Sequence, residues 1–129
     1  MHANEAFIRE AYERMANHDG AYLARALASD ARWVVCGKGG FAGTYVGRDS
    51  IFEVWKRTAQ QTGGGLTLDV HDVLANDDRA VVLLTAKGQR AGRTMEERQV
   101  AVFDIRDGQI TEARFIYEDP DAYEAFWET

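Results

Sequence analysis

The chain has 129 residues, 46% of them apolar and 28% charged, which predicts one globular domain spanning 1–129 and excludes disorder. Fifteen basic against 21 acidic residues leave a formal charge of −6, so the basic footprint of a nucleic-acid binder is missing. The longest unbroken apolar stretch, Ala80 to Leu84, falls far short of the roughly 18 residues of a membrane span.

In chain order, Phe7, Ile8, Ala11, Tyr12 and Met15 recur every three or four residues, the stripe of an amphipathic helix with Asn4 as its expected N-cap. Asp19-Gly20 ends it, and Asp19 caps a second short helix that turns Leu23, Ala26 and Leu27 inward. Arg32 to Cys36 is β-rich and reads as a strand; Cys36, with no histidine nearby in sequence, reads as a buried thiol. A loop dense in glycine follows. Ser50 and Glu53 have capping-box spacing, and Ile51, Phe52, Trp55 and Ala59 carry a third helix to Gly63-Gly64-Gly65.

From Leu66 the apolar period becomes two, and four strands are expected at about 66–75, 79–90, 95–106 and 109–118. Asp107-Gly108 has the chemistry of a type I′ hairpin turn. Asp119-Pro120 reads as the N-cap and first residue of a closing helix bearing Tyr123, Phe126 and Trp127. Helices first and an antiparallel meander second give an α+β class, with helices packed on one face of a curved sheet. Val82, Leu84 and Ala86 share one strand face, while Val81 and Leu83 fill the other. A face apolar on both sides needs a second cover, and the simplest is a homodimer through the outer sheet face.

Several phrases, taken in order, resemble the nuclear-transport-factor-2-like, or SnoaL-like, superfamily. They are Ala11-Tyr12 through Asn17-His18-Asp19-Gly20, Phe41 through Asp49, His71 through Asp77, and Val100 to Phe103 followed by Asp107 to Glu112. The resemblance spans nearly the whole chain. It implies a cone-shaped antiparallel sheet wrapped round three N-terminal helices, a cystatin-like α+β barrel, with an apolar pocket open at one end. Relatives of the ketosteroid isomerase type use a helix tyrosine and two aspartates. Here the tyrosine falls on Tyr12, but the acid positions fall at about Val35 and Ala101, and both carboxylates are missing. The limonene-epoxide hydrolase pattern keeps its arginine at Arg98 and loses a neighbouring acid at Val100.

The same overlay turns Val82, Leu84, Ala86, Glu97, Gln99, Ala101, Phe103, Ala113, Phe115 and Tyr117 into the cone. The expected substrate-binding wall is Trp33, Val35, Tyr45, Trp55, Leu84, Ala101, Phe103 and Phe115, a setting for a small hydrophobic molecule. Aromatics at this spacing also make an ordinary core, and that alternative stays open. Tyr12 can donate to a developing oxyanion or bond to backbone as a core tyrosine. Glu97 and Gln99 share a face; a desolvated Glu97 could carry protons, or be a surface charge at the strand's wet end. Tyr117 would assist. His71 is a natural proton shuttle, yet its alternation with Leu68 and Val70 sends it to the subunit-facing side. Tyr45 lies in the loop at the expected mouth and gates it or packs the loop.

No metal-ligand spacing occurs among three histidines and one cysteine, and Gly37 to Ala42 lacks the helix of a dinucleotide fingerprint. The expectation is therefore a cofactor-free, metal-free isomerase, cyclase or lyase acting on a polyketide- or steroid-like molecule by proton transfer. A non-catalytic ligand-binding or dimerisation module is the rival. Asn4, Glu5, Arg9 and Glu10 near the start argue against a signal peptide, and with a lone cysteine point to the cytoplasm.

Overall fold

The computed structural model describes residues 1–128. Helix α1 (Ala3–Ala16) and α2 (Gly20–Ala26) lead directly into strand β1 (Leu27–Val35) and the short β2 (Gly43–Val46). Helix α3 (Arg48–Gln61) precedes the meander β3 (Thr67–Ala75), β4 (Arg79–Arg90), β5 (Arg93–Arg106) and β6 (Gln109–Tyr117), and α4 (Pro120–Trp127) closes the fold. The six strands form one sheet in the order β2-β1-β6-β5-β4-β3. Register shifts in the β1–β6, β3–β4 and β5–β6 pairs bend it round the helices, because an extra residue on one strand increases the local twist. The sheet has free edges at β2 and β3, so the cone does not close into a barrel.

Most elements stand where the periodicity predicts. Asp119 caps α4 through the Ala122 N–H, with Pro120 at the first helical position, and Asp107 and Gly108 both have positive φ. Four details differ. The cap of α1 is His2, whose Nδ1 accepts the Asn4 N–H; the Asn4 amide instead donates to Asn76 O and Asp77 O in the β3–β4 turn. Helix α3 starts at Arg48, not behind Ser50: Gly47, at φ 90°, turns the chain from β2 straight into the helix, leaving Ser50 inside the first turn. The glycine-dense loop contains a strand, since β2 pairs with β1 from Arg32↔Val46 to Val35↔Gly43. Finally, β1 runs parallel to β6, so the sheet is mixed rather than antiparallel throughout.

The core lies between the inner sheet face and the helices. Ile8, Leu27, Ile51, Val82, Ala101 and Ala113 are essentially inaccessible. The outer face is different: Leu74, Leu83 and Ile116 are exposed, and Val81, Val100 and Val102 are half-buried. Cys36, expected inside, is exposed just past the end of β1. No helix among the described residues is long and apolar enough to cross a membrane.

Candidate functional site

Between the inner sheet face and helices α1, α3 and α4 lies a cavity of about 640 Å³. That size falls within the usual range for small-molecule sites. Its mouth is marked by the exposed residues His18, Gly20, Lys56, Gly64 and Thr67, where the α1–α2 turn meets α3 and the start of β3. The strand period of two sends alternate residues inward, so Leu84, Ala86, Gln99, Phe115 and Tyr117 all reach the cavity.

Trp33 is the hub of the wall. Its ring meets Trp55 at 5.0 Å, Phe115 at 4.7 Å and Phe103 at 6.3 Å between centroids, mostly edge to face. Such edge contacts hold the rings against one another and fix the shape of the space they surround. Phe103 and Ala101, expected to touch a ligand, are fully packed behind this wall and do not line the cavity. Trp33, Val35, Trp55, Leu84 and Phe115 do line it.

Tyr12 comes from the buried stripe of α1, its ring edge-on to Phe103 at 6.0 Å. It lines the cavity, and burial alone, with no hydrogen bond or charge contributing, pushes its phenol well above the usual tyrosine range. The hydroxyl therefore stays protonated and free to donate. Tyr117 stands on β6 at the other side of the cavity and stacks on Tyr123 of α4. Burial and the adjoining Tyr123 push the Tyr117 phenol up as well.

Glu97 is placed differently from the expectation. It is buried on the inner face of β5, but it does not line the cavity; its carboxylate accepts the Asp119 N–H at 2.9 Å, beneath the start of α4. Desolvation raises its pKa and that backbone N–H opposes the rise. Its charge is still felt at both Tyr117 and Tyr123. His71 is the extra residue of the β3 bulge, between the pairs Val70↔Leu84 and Asp72↔Leu83. It is exposed, shares a 2.6 Å hydrogen bond with the Thr85 hydroxyl, and takes no part in the cavity wall. Tyr45 is not at the mouth: its hydroxyl donates to Phe41 O at 2.8 Å and so fastens a residue that does line the cavity.

Sequence reasoning missed Tyr123 and Trp127 as cavity residues. Their three- and four-residue spacing with Phe126 marks the apolar face of α4, but nothing in it says that this face covers the cavity. It missed His18 and Lys56 too, because their place depends on how α3 closes on the α1–α2 turn. The lining contains no aspartate or glutamate, in a chain of net charge −6. Its polar groups are three phenols, the indole N–H groups of three tryptophans, an amide, small hydroxyls and two basic residues at the mouth.

Known proteins share this fold. The model of the SnoaL-like domain matches residues 8–113. The uncharacterized protein Rv0034 of Mycobacterium tuberculosis is 31% identical over 121 residues, which is 93% of this chain and 92% of that protein. Bal32a, from a soil-derived mobile gene cassette, superposes with a TM-score of 0.93 at 26% identity, covering 97% of this chain and 96% of that one. IdmH from Streptomyces antibioticus, a proposed polyketide cyclase, superposes with a TM-score of 0.75 at 25% identity, covering 91% of this chain and 93% of its own. On the matched domain and the shared architecture, the chain belongs to the SnoaL-like family of the NTF2-like fold.

Proposed function

We propose that this protein binds a hydrophobic, polyketide- or steroid-like molecule in the cavity and acts on it as a cofactor-free isomerase, cyclase or lyase by proton transfer. The observation that carries the reading is Tyr12: a protonated phenol, without a hydrogen bond of its own, in the wall of an aromatic cavity. A hydroxyl so placed is stronger toward an oxygen gaining charge than it would be in water, where solvent competes. Gln99 orients a carbonyl or hydroxyl of the substrate. A proton leaving the carbon beside that carbonyl passes to the oxygen of Tyr117 or Tyr123 as that phenol releases its own toward Glu97. Tyr12 meanwhile donates a hydrogen bond to the enolate oxygen, and the reverse transfer reprotonates the product. The similarity to IdmH supports the substrate class.

The absence of a carboxylate from the lining favours one alternative, a ligand-binding module that performs no chemistry. Polycyclic ketones and phenols, screened for binding and for turnover in wild type, Tyr12→Phe and Glu97→Gln, separate the two. The enzyme reading expects both variants to bind and to lose turnover by about a hundredfold or more. Turnover unchanged in Glu97→Gln removes Glu97 as proton carrier; binding without turnover of any compound leaves the module. The protomer is proposed to act as a cytoplasmic homodimer, paired through the apolar outer face of the sheet.

A further inference from the structure

We infer that Trp127, with the neighbouring Tyr123 hydroxyl, forms a subsite at the α4 end of the cavity that takes a neutral acceptor oxygen, a carbonyl or an ether, at the edge of a flat apolar ligand. The inference rests on the cavity being a ligand site and names the group that such a ligand presents there.

The starting observation is an unpaired donor. Trp127 is 4% exposed, and its indole Nε1 is the one buried side-chain nitrogen or oxygen without a hydrogen-bond partner among the described residues. An indole N–H can only donate, and a buried donor left unpaired is destabilising, so its persistence calls for an acceptor. No side chain among the described residues meets it in hydrogen-bond geometry. Glu124 of the same helix turns one carboxylate oxygen away, to the backbone N–H groups of Lys38 and Gly39. Tyr123 lies close enough for the indole to act on its hydroxyl, yet the two do not reach hydrogen-bond geometry.

The indole is also held in place. Arg90 donates to Phe126 O at 3.0 Å and to Glu128 O at 2.7 Å, the carbonyls on either side of Trp127. Gly40 packs directly against the Trp127 Cβ, so the ring cannot retreat in that direction. Trp127, Tyr123 and Tyr117 all line the cavity, and the Tyr117–Tyr123 stack fixes the second donor beside the first. Two donors with no carboxylate in the lining disfavour an ammonium, and neither donor carries a charge that an anion would have to balance. A neutral oxygen acceptor satisfies them.

The matched probes 2-acetylnaphthalene and 2-isopropenylnaphthalene differ only in the carbonyl oxygen. Wild type is expected to bind the ketone about tenfold more tightly, the worth of one buried hydrogen bond. Trp127→Phe is expected to abolish that preference, measured as the ratio of the two affinities in the variant itself, and Tyr123→Phe to reduce it. In the nitrogen–proton NMR spectrum the indole resonance assigned to Trp127 should move downfield with the ketone alone. A preference that survives Trp127→Phe, or an indole resonance that responds equally to both probes, overturns the subsite while leaving the cavity reading standing. Failure of both probes to bind wild type overturns the two together.

Discussion

The carboxylate of Glu97 accepts the backbone N–H of Asp119 at 2.9 Å, tying the middle of β5 to the residue that caps α4. Asp119 in turn accepts the Ala122 N–H, so a buried charge and a helix cap lie in one chain of hydrogen bonds. Because Tyr123 and Trp127 project from that helix into the cavity, the protonation of Glu97 and the placing of the cavity wall are coupled through α4.

The first prediction concerns pH. Desolvation raises the Glu97 pKa above its ordinary 4.5 in the folded state, so the native protein holds this proton where the unfolded chain has lost it. Stability therefore falls as pH rises from the unfolded value through the folded one, and levels off above it. Glu97→Gln keeps an oxygen for the Asp119 N–H and cannot ionise. Its stability relative to wild type should increase across that window and then stay constant, read from urea midpoints taken at roughly pH 4 to 8. Parallel profiles for the two proteins would show that the carboxyl is not desolvated.

A second prediction tests what holds α4. Gly40 has φ 58°, and a Cβ there would lie 2.8 Å from the Trp127 Cβ. Gly40→Ala adds the left-handed backbone cost of about 1–2 kcal/mol and pushes against a helix that Arg90 and Glu124 clamp from two sides. The expected outcome is a loss of about 2 kcal/mol or more in urea denaturation, with a shift of the Trp127 indole resonance. Gly39→Ala, where an added Cβ meets nothing within 4 Å, should leave that resonance unmoved. Equal behaviour of the two variants would sink the idea that the glycine loop positions Trp127.

The fold was legible because its signals are local: the change of period at Leu66, the Asp107-Gly108 turn and the Asp119-Pro120 cap each depend on a few adjacent residues. Strand parity then placed Leu84, Gln99, Phe115 and Tyr117 at the cavity, since the bulge in β4–β3 lies on β3 and the one in β5–β6 lies beyond Phe103. What failed was depth. Alternation gives the face of Ala101, Phe103 and Glu97 but not whether another side chain stands in front of them. Trp33 covers Phe103, and the turn into α4 covers Glu97. Likewise the spacing of Tyr123 and Trp127 announces a buried helix face without saying what it is buried against.

The last prediction concerns the outer face of the sheet. In register across three strands, Leu83 of β4 pairs with Val100 of β5, and Val100 with Ile116 of β6. Next to this row Leu74, Val81 and Val102 form a second. Leu83 is 38% and Ile116 52% exposed, so the rows make one contiguous apolar strip along the centre of the sheet. Salt bridges border it: Arg98 pairs with Glu118 on one side and Arg79 with Asp104 on the other. An apolar centre with a charged rim is the composition of an interface core and its surround, and a two-fold axis lets the same strip cover itself. Sedimentation velocity at micromolar concentration should find a dimer for wild type and a monomer for Val100→Asp, whose carboxylate would enter the centre of the strip. Val100 is only half-buried in the protomer, so the variant should still fold, with far-UV circular dichroism like that of wild type. A wild-type monomer, or a Val100→Asp dimer of unchanged affinity, would rule out pairing through this face.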